Sequence, residues 1–384
     1  MTLAVTLMVR DEADVLPTWL AYHVAQGMDV LVVTDNGSVD GTREILEQFA
    51  AESPVVVDLR HDPVHRKQQS ATVTRMARDA HTVHGADWVV NADADEFLVA
   101  KDRQLSLREV FTRLDPAVRA FVVPVVNMVG PLADHGVDLG QLVWRDERTD
   151  AELREVGLLS HPTGNSIHVG DPEVAVVQGN HLVTMAAGDA PAEELALEVL
   201  HFPWRSWRQY AHRVEIAGLA YESNPDAQPS PNHHGMRDYR RLRAGTLKGY
   251  YALRHVTAEE AAGGHFTADD VLVQYLAGHG IDALSDMGAP VPAAEAADLV
   301  HLGRGLVERD AEIERLAAEV GSLTENKALL ENAVQHTQAR ALDLELLANQ
   351  REEQVRAFKA RKVVRLADQA GDRARVLRQR LGRS

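Results

Sequence analysis

The chain has 384 residues and no cysteine, which removes disulfides, thiolate nucleophiles and zinc–thiolate sites from its chemistry. Long apolar runs are also missing. No stretch approaches the roughly 18 residues that a membrane-spanning helix needs, and the opening MTLAVTLMVRDEADVL meets Arg10 and acidic residues too early for a secretory leader. Net positive charge is lacking as well: the formal charge is −17, which argues against nucleic acid as the partner of the whole molecule. These absences predict a cytoplasmic protein in a reducing setting.

What is present is a globular balance, 45% hydrophobic against 25% charged residues, which excludes a disordered chain. The charge is unevenly distributed. From Arg351 to Ser384 there are 11 Lys/Arg against 4 Asp/Glu, so an acidic body carries a basic tail.

Over the first 130 residues, apolar β-rich runs alternate with amphipathic helical segments. LAVTLMV, DVLVVTD, SPVVVDLR and DWVVNAD read as strands. Residues 12–26, 42–50 and 67–84 read as the helices between them. That order predicts an α/β fold with a mostly parallel central sheet flanked by helices, whose ligands bind beyond the carboxyl ends of the strands. Arg10, Asp11 and Glu12 follow the first strand, Asp35 ends the second, and Asp93 and Asp95 end the fourth. Residues 121–201 are more irregular, with FVVPVVNMV, GNSIHV, VAVVQGNHLVTM and LALEVLHF as strand candidates and an expected role in holding a second substrate. A helix is expected over 204–220, a Pro/Asn loop in ESNPDAQPSPNHHG, mostly helix over 237–280, and a linker in MGAPVPAAEAAD.

Beyond Leu302 the pattern becomes a heptad. With Ile313 at position a, apolar residues hold most a and d positions through Phe358, and Lys327 interrupts the a series. A coiled coil over 301–360 and homo-oligomerisation are expected.

In DWVVNADADEF an apolar run stops at closely spaced carboxylates. Side chains at i and i+2 of a strand share one side, so Asp93 and Asp95 are suited to present oxygens to one hard cation, Mn2+ or Mg2+, with substrate phosphate completing the shell. The alternative is a capped turn with solvated acids.

Three segments, MVRDEADVLPTWLAYHVAQGMDVLVVTDNGSVDGTREIL, DWVVNADADEF and LHFPWRSWRQYAHRVEIAG, together resemble glycosyltransferases of the GT-A fold, in the broad family 2 group. The likeness is greatest to its bacterial branch with an NE...L.EWL.YH opening, and it covers roughly residues 1–220. That family's opening Asn-Glu stands here as Asp11-Glu12. The resemblance implies a transferase domain over 1–220, with a nucleotide-sugar half (1–130) and an acceptor half (131–220). A helical extension (221–285), a linker (286–300), the coiled coil and a basic tail (361–384) would follow. It further implies donor binding by Arg10, Asp11, Glu12, Asp35, Arg75, Asp93 and Arg205, and metal binding by Asp93, Asp95, His201 and His181. For Asp35 an Asx-turn in TDNGSVDGT is an alternative that coexists with ligand contact, and for Arg75 the alternative is a solvated helix face.

The implied reaction moves a sugar from a nucleotide-diphosphate donor to an acceptor hydroxyl on a glycan or lipid-linked molecule, with inversion, in surface glycan or polysaccharide synthesis. Inversion needs a carboxylate base, for which Asp171 and Glu173 are candidates from their place between the middle motifs. Hydrolysis of the nucleotide sugar is a nearer alternative, and a catalytically inactive nucleotide- or carbohydrate-binding scaffold a more distant one. The basic tail is a candidate for peripheral contact with the inner face of the plasma membrane, its alternative being a solvated helix end.

Overall fold

LAVTLMV forms β1 (Leu3–Val9), and six of its seven residues are buried, as a strand covered by helices on both faces requires. The computed structural model describes residues 1–64, 69–177, 179–185, 189–222, 234–285 and 290–382. After β1 come α1 (Leu16–Ala25), β2 (Val30–Asp35), α2 (Thr42–Glu52), β3 (Val56–His61), α3 (Gln69–Thr82) and β4 (Trp88–Ala92). The alternation read from the sequence is therefore present, with ends displaced by a few residues. The expected start of the third helix, Lys67, lies outside the described residues. Gly27 closes α1 with φ +93°, a conformation that a Cβ disfavours, and a Cβ there would also meet Arg108.

The chain continues through β5 (Glu96–Ala100), α4 (Leu107–Arg113), β6 (Ala120–Val123), β7 (Val125–Val129), β8 (Val137–Asp138), β9 (Trp144–Asp146), α5 (Asp150–Glu155), β10 (Asn165–Val169) and β11 (Leu197–His201). Next are α6 (Trp207–Glu222), α7 (His234–Arg243), α8 (Leu247–Ala252), α9 (Ala258–Ala261), β12 (Phe266–Ala268), α10 (Val271–Gly278), β13 (Leu284–Ser285) and α11 (Ala293–Leu381).

One sheet has the order β3-β2-β1-β4-β10-β6. Its β1 to β4 strands run parallel, and β10 lies antiparallel to both neighbours. A second sheet has the order β12-β9-β7-β11-β5. The chain passes between the sheets at two short breaks. FVVPVVNMV divides at Pro124 into β6 of the first sheet and β7 of the second, because proline has no N–H for a ladder. Asp93, Ala94 and Asp95 make the other passage, from β4 to β5. Their expected strand geometry is thereby corrected: Glu96 N–H donates to the Asp93 carbonyl at 3.1 Å and closes a turn. VAVVQGNHLVTM forms no strand among its described residues, only an isolated bridge between Val176 and Val183.

The chain divides into two units, Met1–Arg309 and Asp310–Ser384. The first extends well beyond the expected domain end at 220. Strand β12 pairs with β9, and β13 with β8, so the segment expected as a helical extension completes sheets of the same unit. Most of the Pro/Asn loop and residues 286–289 of the expected linker lie outside the described residues, and α11 begins within the remainder of that linker. The second unit is helical through Leu381, and residues 311–382 are exposed along their whole length.

Candidate active site

The parallel strands deliver their carboxyl ends to one edge, where two loops are stitched together. After β1, Asp11 N–H donates to Ser38 Oγ at 3.1 Å, Glu12 N–H to Thr42 Oγ1 at 2.9 Å and Ala13 N–H to Asp40 Oδ2 at 3.0 Å. In return Val39 N–H donates to Asp11 Oδ1 at 2.7 Å, and Arg10 Nη1 to the Asn36 carbonyl at 2.6 Å. Asp11 adopts φ +54°, a left-handed backbone that Asp and Asn tolerate best among residues with a side chain.

At the end of β2, Asp35 is 1% exposed. Its Oδ1 accepts from Ser38 N–H at 3.0 Å, so the expected turn is present. Oδ2 takes Nδ1–H of His61 at 2.8 Å, from the end of the neighbouring β3. Burial opposes ionisation, but the bonds from Ser38 and His61 prevail and hold the Asp35 carboxyl below its ordinary range.

Beside these loops, the turn after β4 faces the first two turns of α6. Arg213 Nη1 bonds Asp95 Oδ2 at 2.5 Å, and Arg205 Nη1 lies 3.6 Å from the same oxygen. Burial raises the Asp95 carboxyl, yet His201 and Arg213 outweigh it and hold the group far below its usual value. Arg205 has no exposed side-chain surface; it bonds Glu12, reaches Asp14 through Nε at 3.0 Å, and donates to the Phe202 carbonyl at 3.0 Å. Gln209 donates to Glu12 at 3.3 Å and His212 to Asp11 Oδ2 at 2.9 Å. Gln209, His212 and Arg213 thus form an i, i+3, i+4 face of α6.

Asp93 is partly exposed. Its Oδ1 accepts from Asn180 Nδ2 at 3.2 Å and lies 3.4 Å from Gln69 Nε2. Burial and the nearby Asp95 push its carboxyl upward. Glu96 is raised well above its ordinary value by burial, Asp93 and Asp95, with Asn165 Nδ2 bonded to Oε2 at 2.7 Å. Among the described residues, the non-glycine positions with positive φ are Asp11 and Asn180. Both belong to this corner, where backbone strain most often accompanies function.

A cation can be fitted here only with few protein ligands. Among the described residues, no group of three or more His, Asp or Glu side chains is placed to hold a metal ion. A narrower donor set exists. His201 Nδ1 faces Asn127 Oδ1 at 2.9 Å, and Nε2 is directed at Asp95 Oδ2 at 3.5 Å. Asp95 Oδ2 already accepts from Arg213, so a metal ion on Nε2 would share that oxygen with the guanidinium, and a carbonyl-type bond on the far ring nitrogen is the usual support of a ligating histidine. Mn2+ or Mg2+ bound with a diphosphate requires only one or two side chains of this kind.

Several sequence expectations are not brought to this corner. Asp171 and Glu173 follow β10, which runs antiparallel to β4 with Val169 opposite Trp88. They stand at the amino end of β4, the opposite sheet edge from Asp93, where Asp171 lies 3.8 Å from Arg119. Arg75 is exposed in the middle of α3. His181 turns Nδ1 toward the Gly164 carbonyl at 3.3 Å. Conversely, Asp14, Gln209, His212, Arg213 and Asn180 belong to the cluster without having been singled out by the sequence, and so does Glu96, which the sequence marks only as the third of the closely spaced carboxylates. The one-turn spacing on α6, opposite the acids of RDEAD, was the signal available for three of them.

Residues 2–120 match the model of glycosyltransferase family 92. The part of the chain that supplies β1 to β4 and the Asp93–Asp95 turn is therefore similar to a glycosyltransferase. The match is to a family 92 model, where the sequence resemblance pointed to family 2. Among solved structures, S. aureus TarS (residues 1–349) is similar at 10% identity, over 66% of this chain and 80% of that one, with a TM-score of 0.34. The same protein in complex with UDP gives 12% identity and a TM-score of 0.32 over the same shares. HddC from Yersinia pseudotuberculosis gives 8%, 52%, 76% and 0.23 respectively. No curated protein matches.

Proposed function

We propose that this chain is a glycosyltransferase that moves a sugar from a nucleoside-diphosphate donor to an acceptor hydroxyl. The observation that carries the proposal is the convergence of Asp35, Asp93 and Asp95 with Arg205 and Arg213 at the carboxyl edge of a parallel sheet, within or beside the segment that matches a glycosyltransferase family.

Each group has a task suited to its surroundings. Asp35, ionised and held by Ser38 and His61, accepts hydrogen bonds from the nucleoside's N–H or ribose hydroxyl. Asp93, held by neutral amides, has an oxygen for a sugar or ribose hydroxyl. Arg213 is partly exposed, at 34%, and its guanidinium is placed to stabilise charge that develops on the departing diphosphate. Arg205 is buried among Glu12, Asp14 and Asp95, and it positions rather than touches. The corner is rich in acids and would repel a diphosphate on its own. Asp95 and His201 would hold Mn2+ or Mg2+, which when bound neutralises leaving-group charge.

In this proposal the acceptor is a glycan or lipid-linked hydroxyl, the outcome is inversion, and the base comes from a residue other than Asp171 or Glu173. The test is product formation followed by mass spectrometry, with UDP-, GDP- and dTDP-sugars, an oligosaccharide acceptor panel, and Mn2+ or EDTA. Transfer dependent on acceptor supports the reading. Donor cleavage independent of acceptor replaces it with hydrolysis, and no turnover of any donor points to the scaffold.

A further inference from the structure

The second unit presents an apolar stripe that is exposed among the described residues. Its residues lie on α11, 89 residues long, where Ile313, Val320, Leu323, Leu330, Val334 and Phe358 are 53% to 67% exposed. A helix whose apolar face stays in water gains no tertiary packing to offset its ordering. The stripe has a heptad period, which fits a second helix with the same period.

We infer that residues 313–358 pair with the same residues of a second copy as a parallel, in-register, two-stranded coiled coil. Three features choose this occupant and this orientation. Besides Lys327, the a positions hold β-branched Ile313, Val320, Val334 and Val355 with Ala341 and Ala348, whereas d holds Leu316, Leu323, Leu330 and Leu344 with Thr337, Arg351 and Phe358. This division between a and d favours two parallel strands. Lys327 is the polar a residue within the run, a device that fixes register and limits strand number at a cost in stability.

The flanking charges agree. In a parallel pair each g residue faces the next e residue of its partner, which sets Arg340 against Glu345 on both sides. From Glu312 to Lys359 no such g–e contact joins like charges. The antiparallel register that overlaps the same stripe loses both Arg340–Glu345 contacts and sets Lys327 against Leu344. Beyond Phe358 the next a and d residues are Lys362, Arg365, Gln369 and Asp372, so the pairing ends before the basic tail, whose two copies repel.

Because the chain has no cysteine, single cysteines report orientation directly. The experiment uses full-length Leu316→Cys and Val355→Cys under mild oxidation, with light scattering of the wild type. Expected are a solution mass twice the 42.2 kDa of one chain and a disulfide dimer from each variant alone. A Leu323→Glu, Leu330→Glu double variant is expected at the single-chain mass. A wild-type mass of one chain overturns the proposal, as does a trimer. Crosslinking only when the two cysteine variants are mixed overturns it in favour of the antiparallel pair.

Discussion

Arg213 bonds Asp95 across 118 positions of sequence, and its other terminal nitrogen donates to the Pro203 carbonyl at 2.7 Å. One side chain therefore ties α6 both to the Asp93–Asp95 turn and to the segment before that helix. Its partial exposure leaves it accessible to a ligand. Arg213→Ala is expected to lower the transfer rate about 100- to 1,000-fold, the range of a lost transition-state donor, and to cost less stability than Arg205→Ala, because Arg205 and His201 remain beside Asp95. Arg213→Lys should restore part of the rate. Steady-state kinetics and urea unfolding separate the two effects.

Arg205 differs because it is enclosed. Removing it would leave Glu12 and Asp14 without the cation that balances them, and breaking a buried pair from one side costs about 3–5 kcal/mol. Arg205→Ala should therefore show a large loss of urea midpoint, accompanied by loss of activity. A midpoint within error of wild type would remove Arg205 from its positioning role.

The Asp35–His61 pair tests the nucleoside end. Asp35→Asn removes the charge that accepts from the ligand and from His61. It should weaken nucleoside-diphosphate binding by about 10-fold or more, the equivalent of about 1.4 kcal/mol. His61→Ala should have a smaller effect. Equal affinity for Asp35→Asn and wild type would place the nucleoside elsewhere.

Asp171→Ala and Glu173→Ala should leave turnover within about twofold of wild type, as expected for surface changes far from the chemistry. Their position at the amino end of β4 is the reason. A fall of more than tenfold in either would restore them as candidates for the base.

Acid should destabilise the fold through His23. Burial lowers its pKa from 6.5 to about 4, against a bond from Nδ1–H to the Trp19 carbonyl. Because the folded value lies below the unfolded one, the contribution is complete above pH 6.5 and is lost as pH falls toward 4. By linkage the loss at pH 5 is about 2 kcal/mol. Urea midpoints at pH 7 and pH 5 should differ by less in His23→Phe than in wild type.

The parts of this architecture that were legible in the sequence are those whose signal is local. LAVTLMV coincides with β1 residue for residue, since a doubly covered strand must be apolar throughout. The acids and the arginine after β1, β2 and β4 fall on the predicted edge because strand polarity alone sends them there. The second sheet was not legible as such: β11 pairs with β5 and β7 over long separations, and Pro124 marks a break in FVVPVVNMV without saying that the two halves enter different sheets. The same switch turned the Asp93–Asp95 segment from a strand into a passage. Asp171 and Glu173 lie away from this corner because adjacency in sequence does not say to which end of an antiparallel strand a loop belongs.

In the proposed reaction the donor's diphosphate lies against Asp95 and Arg213. Calorimetric titration of wild type, Asp95→Ala and Arg213→Ala with nucleoside diphosphates in Mn2+ tests it most directly. One nucleotide is expected to bind the wild type, and each variant is expected to weaken it by about 10-fold or more. Equal binding by all three proteins would contradict it.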